Sequence, residues 1–111
     1  MMIFDVEYPQ EGAAVITANG RLNMVAAPRL RELITVTVND KGCSRVVVDL
    51  NDTEFIDSSG LGALIAGLKT ARTAGGDLRI ARPQEQITTV LELTNMHRVL
   101  RSYASVAESL A

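Results

Sequence analysis

The chain reads as an α/β domain, a mixed four- to five-stranded β-sheet with helices packed mainly on one face. Three observations predict it. The apolar run Val46-Val47-Val48-Asp49-Leu50 has the character of a strand buried on both faces. Two stretches carry apolar residues at helical spacing: Leu30, Leu33 and Ile34, then Leu61, Leu64, Ile65 and Leu68. A hairpin-like opening precedes alternating helices and strands, a β-β-α-β-α-β-α order that mixes antiparallel with parallel pairing.

In chain order, Phe4, Val6 and Tyr8 alternate with Ile3, Asp5 and Glu7, which predicts a half-exposed strand. Pro9 to Gly12 makes a turn, and Ala13 to Asn19 a second strand. Ala26 to about Val38 is helical by pattern, with Pro28 tolerated in its first turn. The β-branched run Thr35-Val36-Thr37-Val38 weakens that helix locally, and Asn39-Asp40-Lys41-Gly42 ends it. Arg45 to Leu50 is the central strand, followed by a short connector. The next helix runs from about Ser59 to Ala74 and stops at Gly75-Gly76. Leu78 to Ala81 is a short strand, Gln84 to Thr94 a helix, Val99 to Tyr103 a last short strand, and Val106 to Ala111 a final helix.

Bulk composition bounds the function. The sequence has 111 residues, enough for one compact domain spanning 1–111. A charged fraction of 22% and an apolar fraction of 47% are ordinary for a folded soluble protein. A chain of this size buries roughly two thirds of its unfolded-state surface without disulfide or metal. The net charge of −2 gives no electrostatic basis for nucleic-acid binding. The single cysteine, Cys43, has no internal partner and suits a reducing cytoplasm. No export signal or membrane-spanning run is legible.

Chemistry concentrates at Asp57-Ser58-Ser59-Gly60-Leu61-Gly62, where the connector after the central strand passes into a helix. Asp57 or Ser58 is a good N-cap there, and a cap contributes about 0.5–2 kcal/mol. The same place offers hydroxyls and unpaired N–H groups suited to an anion or a phosphate. The flank away from the leucine stripe holds Ser59, Gly62, Ala63, Ala66 and Gly67. Such small residues admit the close approach of a second protein or of a neighbouring helix of the same domain. Two glycines inside a helix cost roughly 1 kcal/mol each, so a close contact of some kind is expected.

Enzymatic readings fail on residue types. His97 is the only histidine, so metal ligation has little to work with. Ser58, His97 and Asp49 or Asp57 supply the types for a triad, but no G-x-S-x-G elbow surrounds either serine. Gly60-Leu61-Gly62 lacks the third glycine of a dinucleotide fingerprint, and Lys69 is too far along to be a P-loop lysine. Arg98 and Arg101 read as solvated charges. No catalytic residue, metal site or cofactor is expected.

The segment Val46 to Gly62, VVVDLNDTEFIDSSGLG, resembles the signature of the bacterial anti-sigma factor antagonists, which are STAS-domain proteins. Gly20-Arg21-Leu22-Asn23 with Ala27-Pro28-Arg29-Leu30, the Gly75-Gly76-Asp77-Leu78 turn and Val90 to Met96 resemble further parts of that family, so the likeness covers the whole chain. It implies that Ser58 is the target of a cognate serine kinase, with Ser59 the rival acceptor. That kinase would itself be the anti-sigma factor, bound by the unphosphorylated chain and released on phosphorylation. A serine phosphatase of the metal-dependent type would reverse the modification, ATP and Mg2+ belonging to these partners. The implied contact face comprises Asn23, Met24, Asp57, Ser58, Ser59, Gly60, Leu61, Gly62, Ala63 and Ala66.

Two residues depart from the family pattern. Asn23 stands where an acidic residue is usual, and Asn95 replaces a glycine at a helix end, where Asn tolerates the left-handed conformation. The alternative reading keeps the fold and changes the role, to a non-switching accessory subunit of a transport or signalling complex. A cytoplasmic monomer, with neither nucleic acid nor membrane as partner, fits both readings.

Overall fold

The structure, a computed structural model, describes residues 2–111. Strand β1 (Ile3–Gln10) runs antiparallel to β2 (Ala13–Leu22) through a tight turn in which Gly12 takes φ +75°. Helix α1 (Ala27–Thr35) crosses to β3 (Arg45–Asp49), which lies parallel to β2. Strand β4 (Thr53–Ile56) and helix α2 (Ser58–Thr73) follow, then β5 (Asp77–Ala81), α3 (Glu85–Leu93), β6 (Ser102–Tyr103) and α4 (Val106–Leu110). Strand order is β1-β2-β3-β5-β6, with β4 pairing to the far end of β2.

Side-chain alternation along the strands explains the layering. Even-numbered residues Ile16, Val46, Val48, Leu78 and Ile80 face α1, α2 and α3 in the main core. Odd-numbered Val15, Val47 and Ala81 face the other way, where Val106 and Leu110 of α4 cover them. The central strand is therefore buried on both sides, as its unbroken apolar run requires. Three helices share one face, and α4 alone takes the other.

Three features add to or differ from the sequence reading. The sheet has six strands, because residues 53–56, expected as a connector, form β4. That strand is too short for a periodic signal. It is held by pairing of Leu22 with Ile56 and by the buried Thr53, whose Oγ1 donates to the Ala18 carbonyl at 2.7 Å. Second, α1 does not fade at its β-branched end but widens into a π-helical turn over Val36–Asp40. Thr35 and Thr37 donate to the carbonyls of Arg31 and Leu33 there, at 2.9 and 2.7 Å, a bond that loosens the regular ladder.

Helix α2 buries more than its expected stripe. Leu64 and Leu68 are buried as predicted, and Leu61 and Ile65 are half-buried against the same core. The inward side also includes Gly60, Ala63, Gly67 and Ala71. Small residues let α2 settle close against α1 and β2: a methyl group at Gly67 would lie 2.6 Å from Cδ1 of Ile34. Of the two readings of the small-residue flank, packing within the chain holds for Ala63 and Gly67.

Candidate functional site

Parallel pairing of β2 with β4 ends both strands at one rim of the sheet. The register Leu22↔Ile56 sets the residues after each strand side by side, and the Asp57 N–H donates to the Leu22 carbonyl at 3.3 Å. Asn23 and Asp57, separated by half of α/β architecture in sequence, thus begin two neighbouring loops.

The Asp57 loop is an N-cap. Asp57 is extended (φ −111°, ψ −174°), and its Oδ1 accepts the Gly60 N–H at 2.9 Å. Its carbonyl accepts the Leu61 N–H at 2.9 Å. This decides between the two cap candidates in favour of Asp57, and Ser58 becomes the first helical residue. Ser58 is exposed and Ser59 half-buried. Among the described residues, no protein group accepts the N–H of either serine. An exposed hydroxyl therefore sits beside two unpaired donors at the positive end of a 16-residue helix.

The Asn23 loop is tied by its own side chain. Oδ1 of Asn23 accepts the N–H groups of Val25 and Ala26 at 3.1 and 3.2 Å, and its carbonyl accepts that of Ala27 at 2.8 Å. An aspartate oxygen could make the same bonds, so Asn23 keeps the loop's shape while lacking a charge. The tie turns Met24 and Val25 outward, 69% and 75% exposed, as two adjacent apolar side chains at the rim. A shallow hollow of about 440 Å³ beside them is lined by Met2, Arg21, Asn23, Val25, Ala26 and Arg29.

Most of the residues expected at a contact face meet at this rim: Asn23, Met24, Asp57, Ser58 and Ser59, with half-exposed Leu61, Gly62 and Ala66 along α2. Gly60 and Ala63 do not belong on that face, because both are buried within the chain. A methyl group at Gly60 would fall 2.2 Å from the Leu22 carbonyl oxygen, so this glycine seats the helix on β2. Val25 was not foreseen; nothing in Met24-Val25-Ala26-Ala27 says which apolar residues the loop will turn out.

A second polar cluster lies at the ends of β3 and β5. Asp49 is buried and accepts both Nε and Nη2 of Arg82, at 3.2 and 2.6 Å, and its Oδ1 also accepts the Asn51 N–H. Arg82 adopts φ +51° to reach it. The hydrogen bonds to Asp49, then its charge, push the Arg82 ionisation above its ordinary value. This pair ties two loops together and uses the carboxylate that a triad would have needed. His97 is likewise engaged, its Nδ1 3.4 Å from the Leu91 carbonyl. Among the described residues no cluster of three potential ligands could hold a metal. Among the described residues, no helix is long and apolar enough to cross a membrane.

The STAS domain family model matches residues 7–109. The chain belongs to the STAS family. It is 29% identical over 100 residues to a candidate anti-sigma factor antagonist of Thermotoga neapolitana, a match spanning 90% of this chain and 88% of that one. A crystal structure of a candidate anti-sigma factor antagonist from Thermotoga maritima superposes with TM-score 0.87 at 27% identity, covering 96% of this chain and 90% of that one. An anti-sigma factor antagonist from Mycobacterium paratuberculosis superposes with TM-score 0.85 at 25% identity, covering 99% and 92%. This STAS chain is accordingly a non-enzymatic protein.

Proposed function

We propose that this STAS chain is an anti-sigma factor antagonist whose binding is switched by phosphorylation of Ser58. The observation that carries the reading is the exposed Ser58 hydroxyl at the first position of α2, beside the outward Met24-Val25 pair. Apolar side chains next to a modifiable hydroxyl let one covalent event alter a docking face. Unmodified, the rim receives an anti-sigma factor that is also an ATP-using serine kinase, and the sigma factor is freed. In the kinase reaction Ser58 Oγ bonds to the γ-phosphorus of ATP as the bond to ADP breaks, a base of the kinase taking the hydroxyl proton. Water delivered by a metal-dependent phosphatase later cleaves the same P–O bond.

The added group carries about −1.5 to −2 charge. Two unpaired N–H groups and the helix dipole accommodate it, so the domain stays folded. Binding is lost because a solvated dianion now stands where an apolar contact must close. Asn23 leaves the rim one charge short of the pattern usual for the family, so docking relies on the apolar pair more than on an acid-dependent contact.

The test is peptide mass spectrometry after incubating the purified chain with ATP, Mg2+ and the genomically linked kinase, beside Ser58→Ala. One phosphate on Ser58, absent from the variant, is the expected result. Phosphate on Ser59 corrects the acceptor and keeps the switch; no phosphate with an active kinase moves the reading to a non-switching accessory subunit.

A further inference from the structure

We propose that Arg31 is the counter-ion of phosphorylated Ser58, drawing the phosphoryl group down onto the outer side of α2. The inference rests on Ser58 as the modified residue and adds how the modified state is held. Arg31 is an exposed residue of α1, which packs alongside α2. Its guanidinium reaches the neighbouring helix at Gly62: a methyl group added there would lie 3.3 Å from Nη2. Glycine at this position lets the guanidinium rest almost on the α2 backbone.

Gly62 lies four residues after Ser58 and three after Ser59, so all three share one side of the helix. The guanidinium therefore lies against the side of α2 that carries both serines. Cβ positions three or four residues apart are about 5–6 Å from each other. A phosphoryl group on Oγ projects its terminal oxygens across most of that gap, and rotation of the long arginine side chain closes the rest.

Arg31 is available for the task. The ion pairs of the described residues engage Arg72, Arg79 and Arg82, and the Arg31 side chain makes no hydrogen bond among the described residues. Asp57, the acid at the start of α2, already has Oδ1 on the Gly60 N–H. A guanidinium fork matches two phosphate oxygens at once, and such charge-assisted pairs are stronger than neutral ones. Closing it would bridge α1 to α2 and cover Gly62 with an ion pair. The phosphorylated face thus changes in shape as well as in charge.

The experiment installs phosphoserine at position 58 during translation, so the contact is read without any kinase. The 31P resonance is followed through a pH titration in the otherwise unaltered chain, in Arg31→Gln and in Arg31→Lys. The phosphate is expected to titrate about half a pH unit lower with Arg31 than with Gln, and Lys to restore part of the difference. Superimposable curves for Arg31 and Arg31→Gln would overturn the contact. Kinase labelling of the unmodified chain is scored separately: an unlabelled Ser58 overturns the switch, while the installed phosphoserine still reports whether Arg31 holds it.

Discussion

Gly60 and Gly62 lie two residues apart on α2, yet a methyl group added at each meets opposite surroundings. At Gly60 it strikes the Leu22 carbonyl oxygen at 2.2 Å and the Leu22 side chain at 2.9 Å, both held in the sheet. At Gly62 it meets one atom, the mobile end of Arg31, at 3.3 Å. The inner side of this helix start is rigid packing that aims the segment; the outer side is spare surface on which charge and shape can change. The lesson is that one short motif, Asp57 to Gly62, carries both an architectural half and an exposed half to which the proposed switch is assigned, divided by the helical repeat.

The hardest way to break the comparison is on the inner side. Gly60→Ala should lower the unfolding free energy by about 3 kcal/mol, because a backbone oxygen cannot move aside. Denaturant midpoints measured beside Gly67→Ala sharpen the point. At Gly67 the obstructing atoms are the ends of Ile34 and Leu78, so about 1 kcal/mol is expected. Equal losses at the two sites would show that the seat on Leu22 is not special.

Asp57→Ala removes the cap at the boundary between the two halves and should cost about 1 kcal/mol. On the outer side the sign reverses. Gly62→Ala relieves the helix of a glycine and should raise stability by about 0.5 kcal/mol, while weakening anti-sigma factor binding in a pull-down or calorimetric titration. Ser58→Ala should leave stability within about 0.5 kcal/mol and abolish phosphate incorporation.

The Asp49–Arg82 pair offers a control remote from this contrast. Arg82→Gln leaves a buried carboxylate without its cation and should destabilise the fold. Because Arg82 ionises above its ordinary value when folded, its contribution is complete below the unfolded value and is lost only as pH rises through the folded one. The stability gap between Arg82→Gln and the parent should therefore stay constant from about pH 7 to about pH 10 in denaturant titrations. A gap that closes over that range would mean that another group governs the cluster.

Local signals accounted for much of the architecture. The turn expected over Pro9 to Gly12, which the structure narrows to Glu11-Gly12, the apolar run at 46–48, helical spacing in α1 and α3 and the Gly75-Gly76 stop each act through near neighbours, so they are readable without the fold. Asn95 is one such case: it does adopt φ +61° at the end of α3. Strand β4 was not legible, because four residues with one buried threonine make sense only against β2. The side of α2 that turns inward was legible only in part, for a related reason: its leucine stripe does face the core, but the small residues beside it were left open. Leucine pattern ranks residues by hydrophobicity, whereas close approach to α1 and Leu22 selects them by size, which brought Gly60, Ala63 and Gly67 inside.

By itself the sequence determined most of the order of elements, a helix start near Ser59 capped by Asp57 or Ser58, and the likeness to a phosphorylatable family, since these depend on residue type and spacing along one chain. Only the tertiary structure decided which hydroxyl is exposed, which small residues are buried, and that Met24, Val25 and Ser58 share a rim with Arg31 close by on α1. Those relations are set by β2–β4 pairing and by the distance between two packed helices, and contacts between residues tens of positions apart leave no local trace in composition or period.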